Sequence, residues 1–132
     1  MVASQQDGDS RRTVLVVDDD PKFAGIVARC LRGAGHECVI AGSGEDALRA
    51  VIEHQPEAIV LDVMMPAPDG MEVCRRLRDE GWAGAIVMVS ARSNSADRDA
   101  AARAGADMFL AKPFPLDDLV SAITSLLGTR GR

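Results

Sequence analysis

Two short apolar runs of the chain end in carboxylates. Thr13 to Val17 reads TVLVV and stops at Asp18, Asp19 and Asp20, and Ala58 to Leu61 reads AIVL and stops at Asp62. Two like charges about 4 Å apart repel by about 4 kcal/mol at an effective dielectric near 20, so acids converging from two strands call for a cation or raised pKa values. A hard divalent cation meets that need. No glycine-spaced run of oxygen ligands resembles a calcium loop, so Mg²⁺ with retained waters fits best. Two further runs, AIVMV at 85–89 and MFLA at 108–111, end at Ser90 and Lys112, a hydroxyl and a cation. Together these groups make a phosphoryl site. A carboxylate attacks phosphorus, the metal and lysine offset the charge of the transferred group, and the hydroxyl orients one of its oxygens. Each residue also has a plainer role, since aspartates close turns and cap helices, a serine can cap, and a lysine before Pro113 can be a solvated surface residue. Complementary chemistry at four separate strand ends weighs against four plain roles at once.

The stretches between these runs read as helices. Pro21 suits a first helical turn, and Phe23, Ile26, Val27, Cys30 and Leu31 follow the i, i+3, i+4, i+7, i+8 pattern until Gly33 and Gly35. CVIA at 38–41 is a second strand, and Ser43 with Asp46 resembles a capping box before Ala47, Leu48, Val51 and Ile52. Met71, Cys74 and Leu77 mark a third helix after a Pro- and Gly-rich loop. The alanine-rich stretch 95–104 is a fourth helix with little apolar bulk, expected to be the least firmly anchored. Leu116, Leu119, Val120, Ile123 and Leu127 form the stripe of a last helix that Gly128 is expected to stop. Strand then helix repeats five times with short connections, which predicts an α/β fold. The expected form is a flavodoxin-like, doubly wound, five-stranded parallel sheet in the order 2-1-3-4-5, flanked by five helices. In such sheets the ligand site lies beyond the carboxyl ends of the strands, at the switch point between strands one and three. Asp18, Asp19, Asp20 and Asp62 stand there.

Composition narrows the function classes. At 132 residues the chain fits one domain, and its net charge of −5 invites neither a nucleic-acid backbone nor an anionic membrane. Without the four clustered aspartates the chain is nearly neutral, so the acidity is local. The polar start, MVASQQDGDSRR, lacks the apolar centre of a secretory signal, which places the protein in the cytoplasm. Cys30, Cys38 and Cys74 have neither disulfide parity nor metal-ligand spacing and read as reduced core residues. His36 and His54 read as plain surface residues.

From Thr13 to Leu127 the chain resembles the receiver domain of bacterial two-component response regulators. The resemblance rests on VLVVDDDP at 14–21, LDVMMPAPDG at 61–70, VSAR at 89–92 and GADMFLAKPF at 105–114, in order and at the family's separations. It divides the chain into an N-terminal tail (1–12, polar and flexible), a receiver domain (13–127) and a C-terminal tail or start of a linker (128–132). It implies that Asp62 accepts a phosphoryl group from the phosphohistidine of a sensor histidine kinase. Asp19 and Asp62 would bind Mg²⁺ directly, with the Met64 backbone carbonyl as a third ligand and Asp18 acting largely through water. Ser90 would hydrogen-bond the phosphoryl oxygen, Lys112 would pair with another, and the Lys112–Pro113 bond would be cis. Phe109 stands where the family places an aromatic switch that turns inward, and the readout would be a shift of the face formed by the fourth helix, fifth strand and fifth helix.

Some positions depart from the family's commoner choices. Ser90 replaces threonine and keeps the hydroxyl. Phe109 lacks the hydroxyl of the frequent tyrosine. Ala122 stands where regulators that dimerise on DNA often carry an arginine, which weakens that style of dimer, although a homodimer through the same switch face remains open. Met64 and Arg92 occupy positions that influence access of water to the phosphoryl group, and their length implies slow self-dephosphorylation. The segment GTRGR after Leu127 is too short for an effector domain. The expected protein is therefore a stand-alone receiver that docks on a protein partner or relays phosphate to a histidine phosphotransfer protein, the alternative being a receiver belonging to a longer transcriptional or enzymatic regulator. A Mg²⁺-dependent phosphohydrolase with Asp18 as nucleophile, from the pair Asp18 and Asp20, is a competing reading. Pro21 is awkward for that motif, and the chain has no room for a cap domain. A flavin-binding module is poorly served by four aromatic residues. Trp82, beyond the third helix, is not expected to report on Asp62.

Overall fold

The computed structural model describes residues 12–130. The tail expected over residues 1–12 lies outside the described residues apart from Arg12, as do Gly131 and Arg132. Five strands, β1 (Thr13–Val17), β2 (Glu37–Ala41), β3 (Ala58–Asp62), β4 (Ala85–Ser90) and β5 (Met108–Ala111), alternate with five helices. These are α1 (Pro21–Gly33), α2 (Gly44–His54), α3 (Gly70–Asp79), α4 (Ser95–Ala104) and α5 (Leu116–Arg130). The strands are all parallel, in the order β2-β1-β3-β4-β5, as the sequence predicts.

Side-chain alternation splits the core into two layers. Leu15, Val17, Ile59, Leu61, Ile86 and Met88 face α2, α3 and α4, while Val14, Val16, Val60, Val87 and Val89 face α1 and α5. The three central strands are thus apolar on both faces, and each fully buried Val, Leu or Ile contributes about 1.5–3 kcal/mol.

The bulky-residue stripes on two helices differ from expectation. Ile26 is 49% exposed and Ile52 is 75% exposed. Ala24, Val27, Ala28 and Leu31 bury α1, and Gly44, Ala47, Ala50 and Val51 bury α2. Small residues let each helix lie close to the sheet, and one step beyond Val51 turns Ile52 about 100° further round. Of the cysteines only Cys74 is fully buried; all three are free, but Cys30 and Cys38 are half-buried rather than core residues. Nor is His36 a plain surface residue. It is half-buried, within 3.3 Å of the Thr124 hydroxyl, and burial followed by the Arg12 charge lowers its pKa. Gly128 does not stop the last helix, which runs on to Arg130.

The α4 helix buries only Ala101 and Ala104, as its composition implies, and is pinned at its far end by Arg78. The guanidinium donates to the carbonyls of Gly105 (2.9 Å), Trp82 (2.8 Å) and Gly84 (2.8 Å) and pairs with Asp107 (3.2 Å). Gly105 caps α4 at φ +112°, a conformation that favours glycine. Arg78→Lys, which keeps the charge and loses the planar fork, is expected to lower stability by about 1.5 kcal/mol. Urea denaturation with an unchanged midpoint would refute this.

Candidate functional site

The strand ends converge as expected. Asp18, Asp19 and Asp62 bring carboxylate oxygens within 4.8 Å of one another, with Asp18 and Asp62 buried and Asp19 exposed. Lys112 reaches in from the end of β5, its Nζ 3.3 Å from Asp18 Oδ2 and 3.8 Å from Asp62 Oδ2. Backbone bonds fix these ends together: Val63 N donates to Val89 O, and Lys112 N donates to Ser90 O. The Lys112–Pro113 bond is cis, and so is Ala67–Pro68, which the sequence reading did not anticipate.

The aspartates divide their work. Asp20 is a helix cap, its Oδ1 accepting from Lys22 N (3.1 Å) and Phe23 N (3.4 Å), so it leaves the acidic cluster. Asp18 Oδ1 accepts from Asp20 N at 2.9 Å while its other oxygen meets Lys112, so both of its oxygens are engaged. Asp62 Oδ1 accepts from Met64 N at 3.2 Å. Burial, then the neighbouring Asp18, pushes the Asp62 carboxyl up to about 6, with Lys112 and the Met64 amide pulling the other way. A carboxylate so placed gains from any added positive charge, and an all-oxygen donor set suits a hard cation. The residues present therefore fit Mg²⁺.

Ser90 is buried, and its Oγ accepts from Arg92 N at 3.0 Å. Beside it a cavity of about 220 Å³ is lined by Met64, Arg92, Asp97 and Phe109, among others. Phe109 is half-buried against the core, with the Arg98 guanidinium 5.0 Å from its ring centroid. The Arg92 side chain is largely exposed and pairs with Asp97 at 3.5 Å, and Met64 is 48% exposed. Ala122 is buried, packed with the α5 stripe rather than displayed on the surface.

Two partners of the site escaped the sequence reading. The Lys112 ammonium lies over the Phe23 ring, 4.4 Å from its centroid, and Phe114 meets Phe23 edge-on at 6.1 Å. Phe23 and Phe114 both read as ordinary apolar residues in sequence; only the proximity of Lys112 to α1 reveals the arrangement.

The profile of the response regulator receiver domain matches residues 14–124. The chain belongs to the response regulator receiver domain family. It is 43% identical over 114 residues to response regulator MprA of Mycobacterium leprae, covering 86% of this chain and 50% of that protein. It is 45% identical over 118 residues to transcriptional regulatory protein PrrA of Mycobacterium tuberculosis, covering 89% of this chain and 51% of that protein. The receiver thus spans about half the length of these relatives. Among solved structures it resembles the Francisella response regulator 1452 receiver domain (TM-score 0.87, 28% identity, 91% of this chain and 99% of that one). It also resembles chemotaxis protein CheY4 of Vibrio cholerae (TM-score 0.84, 27% identity, 89% of this chain and 100% of that one). Among the described residues, no helix of the receiver is long and apolar enough to cross a membrane.

Proposed function

We propose that Asp62 is the phospho-acceptor of this receiver. An Asp62 carboxylate oxygen attacks the phosphorus of a sensor kinase's phosphohistidine, or of a histidine phosphotransfer protein. A P–O bond forms as the P–N bond breaks, and the departing imidazole nitrogen keeps the electron pair and takes a proton. Lys112 offsets charge on the transferred group, and Ser90 orients one of its oxygens. Asp19 and Asp62, with the Met64 carbonyl and with Asp18 acting through water, would hold Mg²⁺, which would supply positive charge beside that group. The observation that carries the reading is the placement of Asp62, buried and short of positive charge, between Lys112 and two further acids.

The output is a population shift of the α4, β5 and α5 face, with Phe109 turning toward the cavity beside Ser90. Moving such an equilibrium from 1:99 to 99:1 needs about 5.5 kcal/mol of differential stabilisation. We place the receiver unit at 13–127 in the cytoplasm, signalling to a protein partner or a further domain, with a homodimer through the same face as one form of that contact.

The test is intact mass after incubation with acetyl phosphate and Mg²⁺. A single phosphoryl adduct on wild type, absent without Mg²⁺ and absent from Asp62→Asn, is expected; an adduct lost only in Asp18→Asn means a hydrolase instead. Met64 and Arg92 at the rim of the cavity are proposed to slow hydrolysis of the adduct. Its lifetime is expected in minutes or longer, shortened several-fold in Met64→Ala with Arg92→Ala. A wild-type half-life of seconds refutes the shielding.

A further inference from the structure

We infer that Phe23 is a positioning residue for Lys112, its ring face holding the ammonium at a set reach from Asp62. The inference rests on the phospho-acceptor reading above and concerns the residue that aims its lysine. A lysine is a compact charge on a flexible four-carbon stem, and in a phosphoryl site its value depends on being in place before the reaction. Here the ammonium has three neighbours, two carboxylates and a ring: Asp18 at 3.3 Å, Asp62 at 3.8 Å and the Phe23 ring centroid at 4.4 Å. The two carboxylates draw the charge inward. The negative face of the ring holds it from another side without neutralising it, which leaves it available to an incoming phosphoryl oxygen.

The ring is itself fixed. Phe23 N bonds the Asp20 cap at 3.4 Å, so the run of aspartates that supplies Asp18 and Asp19 also sets where the ring stands. Phe114, two residues beyond Lys112, meets Phe23 at an interplanar angle of 81°, the edge-to-face arrangement that aromatic pairs favour. Phe23 is half-buried, whereas its helix is packed by Ala24, Val27, Ala28 and Leu31.

The test measures the initial rate of labelling by acetyl phosphate, a donor too small to involve a docking surface. It compares wild type with Phe23→Leu, Phe23→Tyr and the chain carrying pentafluorophenylalanine at position 23, whose ring keeps its shape and reverses its charge distribution. Phe23→Leu and the fluorinated chain are expected to label about fivefold more slowly, and Phe23→Tyr at the wild-type rate. In a Lys112→Ala background, Phe23→Leu should change nothing further. The Lys112 ε protons should also resonate upfield of their position in Phe23→Leu, a ring-current effect that is independent of phosphorylation. The inference is overturned by a fluorinated chain that labels like wild type, by a further loss in the Lys112→Ala background, or by an absent ring-current shift. Wild type that takes no phosphoryl group overturns the phospho-acceptor reading instead, and this inference with it.

Discussion

Asp62→Asn is expected to melt roughly 10 °C above wild type at pH 7 in the absence of Mg²⁺, a gain of about 2–3 kcal/mol. The cause is the raised carboxyl of Asp62, pushed from 3.8 to about 6 by burial and by Asp18. In the unfolded chain this group ionises near 3.9; in the fold it holds its proton until about 6. Between those values the native state binds more protons than the unfolded one, so stability falls as pH rises through the window. Below pH 4 both states are protonated and the cost vanishes. The amide keeps the side chain's shape and can still accept from Met64 N, while removing the charge that Asp18 opposes. The advantage of the variant should therefore be large at pH 7, shrink as pH falls from 6 to 4, and narrow when Mg²⁺ is added to wild type, because a ligand bound only by the fold stabilises it. Thermal melts across pH 4–7 check this. A difference between the two proteins that does not vary with pH would contradict the assigned cause.

Gly70→Ala is expected to cost about 3 kcal/mol and to cut phosphoryl acceptance more than tenfold. Gly70 opens α3, and a Cβ there would press on the Asp62 carbonyl oxygen, with Val63 Cα 2.7 Å and Asp62 C 2.9 Å away. All three are backbone atoms at the end of a central strand, so no side chain can swing aside. Either the start of α3 moves, losing the Gly70 N to Val63 O bond, or Asp62 moves and the carboxylate leaves its place between Lys112 and Asp19. Denaturant unfolding reads the first part, and intact mass after acetyl phosphate reads the second. A variant as stable as wild type would show that the loop yields freely.

The parts of the site differ in how firmly the fold holds them. Its acids hang on β1 and β3, strands buried on both faces, whereas Arg92 and Asp97 belong to the β4–α4 junction and to a helix that buries only two alanines. The acids stand on the rigid part. Within the face expected to move on phosphorylation, α4 meets Arg92 through the Asp97 ion pair and Phe109 of β5 through Arg98, and its far end is held by the Arg78 fork.

Much of this was legible in the sequence. Runs such as TVLVV and AIVL, too short for helices and apolar throughout, specify strands buried on both faces, and five strand-helix alternations with short connections leave a parallel sheet as the solution. The strand ends then place Asp18, Asp62, Ser90 and Lys112 at one edge. The tertiary structure decided what local pattern cannot. A triple aspartate does not reveal which member caps the helix and which two face Asp62, because all three are chemically equal until the backbone turns at Asp20. Bulky-residue spacing placed Ile26 and Ile52 inward, yet the helices lie on their alanines, since close approach to the sheet rewards small side chains. Phe23 stands 89 residues before Lys112 in the chain, and only the fold, which brings the Lys112 side chain from beyond the end of β5 to the first turn of α1, gives its ring a cation to hold.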